Sequence, residues 1–193
     1  MLPEYENYLQ FILKLSPLSQ ESINALVPFL HQRTFSRKDF LVLQGNVSDE
    51  LHFIISGSVR EYFEDANANE INTWFGFENA IAISTHSFFS QKPSLTHIQA
   101  LEDTRTIVLK YDDIQQLYGR FHEIERLGRI ITEQYLVQIE EMKIILQTLT
   151  ARQRYQYLLQ HKPEFVQRIP LKYLASFLGI KLETLSRVRG QKD

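Results

Sequence analysis

Arg187, Glu183 and Ser186, with Lys181 and Leu182 just before them, are the side chains here best suited to reading a base pair. Arginine can donate two parallel hydrogen bonds to guanine O6 and N7, and glutamate can accept one from cytosine N4. Lys172, Thr184 and Arg189 suit phosphate oxygens, contacts that position a protein on a duplex without reporting its sequence. Plainer roles are open to the two main readers. Glu183 can be an acid at a helix start, favoured by the dipole. Arg187 can hold a phosphate rather than a base.

Such side chains need a helix that fits the major groove, and the stretch 171–190, LKYLASFLGIKLETLSRVRG, has the pattern for one. Counting from Leu171, apolar residues fall at the fourth, eighth, tenth, fifteenth and eighteenth positions: Leu174, Leu178, Ile180, Leu185 and Val188. Small Ala175 stands where two crossing helices approach closely. Gly179 stands where the turn between them favours positive φ. The spacing predicts a helix-turn-helix with its second helix as the reader; an ordinary helical hairpin shares the same packing rules.

Charge favours the first reading. The chain of 193 residues has 21 Lys+Arg and 23 Asp+Glu, which nearly cancel. Residues 151–193 hold nine basic side chains, among them Arg152, Arg154, Lys162, Arg168 and Lys192, and three acidic ones (Glu164, Glu183, Asp193), a net of +6. The first 150 residues carry a net of −8. A basic segment on an acidic body offers phosphates one face and repels them elsewhere.

Other chemistries lack their residues. With no cysteine there is no disulfide, cysteine-ligated iron–sulfur cluster, cysteine zinc finger or thiol switch. GxSxG, HExxH, Walker and GxGxxG motifs are missing, so no catalytic residue is assigned. The six histidines, at 31, 52, 86, 97, 122 and 161, show no i,i+4 or HxH pairing, and no metal site is expected. No apolar run approaches the ~20 residues needed to span a bilayer. The N-terminal MLPEYENYLQ lacks a signal-peptide pattern, so the cytoplasm is expected and no membrane partner.

Three further regions precede the basic tail. Residues 4–30 read as helical, interrupted at Ser16-Pro17, with Ser19 as an N-cap. From 31 to about 110, short β-branched and aromatic runs (HQRTF, FLVLQ, LHFIIS, SVREYF, EINTWFGF, LTHIQAL, TRTIVLK) alternate with turn residues, as in an antiparallel sandwich or jelly roll. From Phe121 to Leu149, Ile124, Leu127, Ile131, Tyr135, Ile139 and Met142 begin an apolar stripe at spacings of three or four. It predicts one long amphipathic helix whose stripe serves as a dimer seam. The alternative is a helix lying wholly on its own domain. The expected divisions are 1–120, 121–149 and 150–193, in an α+β protein.

This order resembles the Crp-Fnr family of bacterial transcription regulators over essentially the whole chain. FLVLQGNVSDELHFIISGSVREYF, with Gly45 and Gly57, matches the family's jelly-roll pattern, and SFLGIKLETLSRVR is similar to its DNA-reading element, as in members from Bacteroidetes. The resemblance implies a cyclic-nucleotide-binding-like jelly roll, a dimerisation helix and a small winged-helix-like reader. It implies a homodimer on an inverted repeat in double-stranded DNA, with RNA polymerase and a small-molecule effector as further partners. It assigns base contact to Glu183 and Arg187. Many members have arginine where this chain has Leu182, so the preferred DNA sequence should differ.

In nucleotide-binding members a cassette carries a glutamate for the ribose and an arginine for the cyclic phosphate. Glu78 corresponds to the glutamate, and Ser94-Leu95-Thr96 occupy the stretch where the arginine is expected. Glu78, Ser94 and Thr96 are therefore the pocket candidates, and cyclic AMP is not the expected effector. Trp74, Phe75, Phe77, Phe88 and Phe89 either line a pocket for an apolar ligand or fill it. A ligand-sensing or protein-interaction module that leaves DNA alone is the competing reading.

Overall fold

The structure, a computed structural model, describes residues 3–190, with side chains from Tyr5 onward. Lys192 and Asp193, counted in the basic tail, lie outside the described residues. The chain divides into two compact units: residues 1–61 with 76–134, and residues 62–75 with 135–193.

The first unit begins with α1 (Pro3–Leu15) and α2 (Gln20–Leu26), followed by a 3-10 turn over Val27–Phe29. Ser19 caps α2, its side chain accepting from the Ser22 N–H. The strands are β1 (His31–Phe35), β2 (Phe40–Val42), β3 (Glu50–Ser56), β4 (Val59–Glu64), β5 (Glu70–Gly76), β6 (Ile81–Ala82), β7 (His97–Ala100) and β8 (Thr104–Lys110). They form two four-stranded sheets, ordered β1-β8-β3-β6 and β2-β7-β4-β5. In the first, β8 pairs antiparallel with both β1 and β3. Central position explains why β3 and β8 each carry an uninterrupted buried run, 52–54 and 106–109, where an edge strand would alternate. The pleat sends Phe53, Ile107 and Leu109 to a core shared with Tyr8, Leu9, Ile12 and Leu26 of the N-terminal helices.

This unit also contains α3 (Thr85–Ser90), α4 (Tyr111–Tyr118) and the start of α5 (His122–Thr148). Glu123 of α5 accepts from the Ser19 N–H at 2.9 Å, from Ser19 Oγ and from Ser22 Oγ. The two bonds from Ser19 hold its carboxyl below the ordinary range. Arg126 donates to Ser16 Oγ and to the Pro17 carbonyl, each at 3.1 Å. The α1–α2 corner is thus fastened to the first turns of α5.

The second unit comprises hairpin residues 62–75, the rest of α5, and α6 (Ala151–His161), α7 (Pro163–Arg168), α8 (Leu171–Phe177) and α9 (Leu182–Gly190). Thr150 and Gln153 form a reciprocal capping box at the start of α6. Phe75 lies 5.5 Å from Phe165 and 5.4 Å from Phe177, ring centre to ring centre. Ser176 Oγ donates to the Glu70 carbonyl at 2.7 Å and accepts from the Asn72 N–H at 3.0 Å. One hydroxyl therefore satisfies a donor and an acceptor of strand β5, and the hairpin shares a core with the helices.

Candidate nucleic-acid interface and effector cassette

Leu174, Ala175, Phe177, Leu178 and Leu185 are buried, as the helix-turn-helix spacing requires, and Ile180 and Val188 are half-buried. Gly179 has φ +66 just after Leu178, the C-cap residue of α8, where a side chain would be strained. Its N–H bonds to the Ser176 carbonyl, and the Ile180 N–H bonds to that of Ala175.

Burying Leu185 leaves the opposite face of α9 outward. Lys181, Leu182, Glu183, Ser186, Arg187 and Arg189 are all exposed, and Thr184 is half-buried. Positions 183, 186 and 187 stand at i, i+3 and i+4, so one face carries an acceptor, a hydroxyl and a guanidinium. Arg187 Nε makes a long 3.4 Å bond to the Glu183 carbonyl, aligning the side chain along the helix. Lys172, on α8, is exposed, with Nζ 4.0 Å from a Glu70 carboxylate oxygen and 5.7 Å from the Tyr173 ring centre.

Not every basic residue of the tail is on offer to a partner. Arg154 Nε donates to the Leu149 carbonyl at 2.9 Å, and Nη1 donates to that of Leu178 at 2.7 Å.

The long helix divides the apolar stripe between two tasks. Ile124 and Leu127 are buried in this chain's own core, and Ile131 packs against it, so these serve the fold of the first unit. Tyr135 and Met142 are half-buried and Ile139 is 42 % exposed. Leu136, Val137 and Ile144 are more than half exposed; a stripe counted only at spacings of three and four passes over them.

The pocket candidates make different hydrogen bonds. Glu78 is exposed, and its Oε1 accepts from the Gly57 N–H at 3.0 Å, in the turn between β3 and β4. Ser94 and Thr96 instead join Ser84 and Glu61, which the residue pattern did not single out. Ser84 Oγ is 2.7 Å from Ser94 Oγ. Ser94 Oγ donates to the Thr96 carbonyl at 2.7 Å and accepts from the Thr96 N–H at 3.2 Å. Thr96 Oγ1 donates to Glu61 Oε1 at 2.8 Å. Of the aromatics, Phe88 is buried between Phe89 and Tyr111, and Phe75 belongs to the three-phenylalanine cluster. Both fill space.

Among the described residues, no group of three or more His, Asp or Glu could hold a metal ion. No helix there is long and apolar enough to cross a membrane.

Residues 32–121 match the cyclic nucleotide-binding domain family. No curated protein matches the chain by sequence. Among solved structures the chain is similar to FixK2 from Bradyrhizobium japonicum (TM-score 0.73, 17% identity, 84% of this chain and 83% of that one). It is similar to CLP, a c-di-GMP-responsive global regulator from Xanthomonas campestris (TM-score 0.69, 19% identity, 88% and 89%). It is also similar to a candidate transcriptional regulator of the crp/fnr family from Eubacterium rectale (TM-score 0.67, 14% identity, 89% and 82%). The chain thus has the α+β fold of these regulators, built on a segment that matches the cyclic nucleotide-binding domain family.

Proposed function

We propose that this chain is a Crp-Fnr-type transcriptional regulator that binds double-stranded DNA as a homodimer, each α9 reading half of an inverted repeat. The observation that carries the reading is the outward face of α9, where Glu183, Ser186 and Arg187 lie opposite buried Leu185. Arg187 and Glu183 specify bases, with Ser186 and Lys181 beside them; Thr184, Arg189 and Lys172 position the phosphates; Leu182 meets a thymine methyl. The exposed apolar side chains of α5, led by Leu136 and Ile139, form the seam. A two-fold dimer reads two half-sites about one helical turn of DNA apart. Such a regulator acts in the bacterial cytoplasm, with RNA polymerase as the protein partner at a promoter.

The experiment is selection from random duplex DNA by the purified, ligand-free protein at moderate salt, beside Arg187→Ala. Enrichment of an inverted repeat by wild type and its loss in the variant are expected. A variant that keeps the wild-type preference removes Arg187 from the reading. A protein that enriches nothing, with or without cell-extract metabolites, favours a ligand-sensing or protein-interaction module.

A further inference from the structure

The family matched by residues 32–121 implies a cyclic nucleotide, whose phosphate needs hydrogen-bond donors and a compensating charge. The hydroxyls around Ser94 can be assigned proton by proton, because each has only one to donate. Ser94 gives its proton to the Thr96 carbonyl. The 2.7 Å contact between Ser84 and Ser94 must then use the Ser84 proton, with Ser94 accepting. Thr96 gives its proton to the Glu61 carboxylate. All three protons are committed inward, and the last acceptor is an acid.

The helix beside them points the same way. Ser84 is the N-cap residue of α3, yet its side chain makes no capping bond. Capping is the usual worth of a serine there. Ser84 is 1% exposed and Ser94 2%, so neither hydroxyl faces solvent. The network instead ties the start of α3 to Ser94 and, through Thr96, to β4.

We infer that the hydroxyl–carboxylate network Ser84, Ser94, Thr96 and Glu61 closes this cassette to cyclic nucleotides. A phosphodiester anion offers only acceptors at its phosphate oxygens. To bind there it must draw the Ser94 hydroxyl proton away from the Thr96 carbonyl, or the Thr96 hydroxyl proton away from Glu61, and lie near an acid where an arginine is needed. The inference rests on the regulator reading only for its consequence, that DNA recognition proceeds without a cyclic nucleotide.

The test is calorimetric titration of the full chain with cyclic AMP and cyclic GMP up to about 1 mM, with thermal melting in parallel. Neither nucleotide should give saturable heat or raise the melting temperature. Saturable binding of either at about 100 μM or tighter overturns the inference. Melting of two variants tests the proton assignment. Ser94→Ala strips the partner from both Ser84 and the Thr96 N–H, so it should lower the melting temperature more than Ser84→Ala; the reverse order overturns the assignment. DNA selection is read separately. Nucleotide binding with intact selection sinks the closed cassette alone, and selection that is absent with or without cell-extract metabolites, in a protein that binds neither nucleotide, sinks the regulator reading alone.

Discussion

Arg154 Nη1 donates a 2.7 Å hydrogen bond to the main-chain carbonyl of Leu178, the residue that ends α8 just before Gly179. Its Nε holds the Leu149 carbonyl at the end of α5. Two helix ends that would otherwise leave carbonyls unpaired are joined by one guanidinium. Arg154→Ala should therefore destabilise the second unit by about 1–3 kcal/mol, the range for a charged hydrogen bond removed from half-buried partners. Lysine cannot span both carbonyls in the fork geometry and should rescue little. Thermal melting decides it; an unchanged melting temperature assigns Arg154 to the surface footprint.

Arg187 has the opposite character, its Nε making a weak 3.4 Å contact inside its own helix. Arg187→Ala should leave melting unchanged while costing about 1–3 kcal/mol in discrimination between preferred and scrambled duplex. Lys172→Ala should weaken both duplexes alike and flatten the salt dependence of binding. If both variants weaken the two duplexes equally, Arg187 is a phosphate contact.

Gly128 sits mid-helix in α5, and a Cβ there would collide with the ring and hydroxyl of Tyr118. Helix propensity alone makes Gly128→Ala stabilising by about 1 kcal/mol. The collision predicts a lower melting temperature, because the half-buried phenol of Tyr118 packs against the core. Adding Tyr118→Ala should make the alanine at 128 far less harmful, a non-additivity expected of touching residues. Additive effects would remove the contact from the account.

His52 is fully buried, with Nδ1 3.3 Å from Thr106 Oγ1. Burial, and then the Arg33 charge, push its imidazole down from 6.5 to about 3. The unfolded chain takes up this proton near pH 6.5, and the folded chain resists it until near pH 3. Stability from this group is whole above 6.5 and is lost as pH falls from there toward 3. Glu123, held low by Ser19, adds a loss in the same direction below its ordinary value of 4.5. His52→Gln should flatten the decline of melting temperature with acid between pH 6.5 and 4.5, whatever it does to the melting temperature itself. An unchanged slope refutes the assignment.

Local patterns carried the sequence reading far. The apolar stripe from Phe121 to Leu149 became α5 over 122–148; Ser19 caps its helix, and Gly179 has the positive φ its turn position called for. Each signal is written in consecutive residues. Short elements left weaker traces. α3 and α4 span six and eight residues, too few turns for a period to show. The rest depends on distant partners. Ser176 satisfies backbone groups about a hundred positions earlier, and Glu61 meets Thr96 across 35 residues, where no spacing rule applies. Glu78, matched by resemblance alone, accepts from the Gly57 N–H across 21 residues, again beyond any spacing rule.

The two tasks of α5 fall on side chains of opposite exposure. Leu136 is 64% exposed and Ile139 42%, whereas Leu127 is 4% exposed within the core. Two glutamates replacing Leu136 and Ile139 should leave the protomer folded, because neither side chain is buried in it. They should dissociate the proposed dimer, since two carboxylates facing two more across a two-fold axis cannot be buried without partners. Leu127→Glu should instead unfold the first unit, by placing a charge in a core that has no partner for it. Sedimentation velocity and circular dichroism on both variants read the outcome. A folded Leu136→Glu/Ile139→Glu protein that sediments like wild type would move the seam elsewhere or make the chain a monomer.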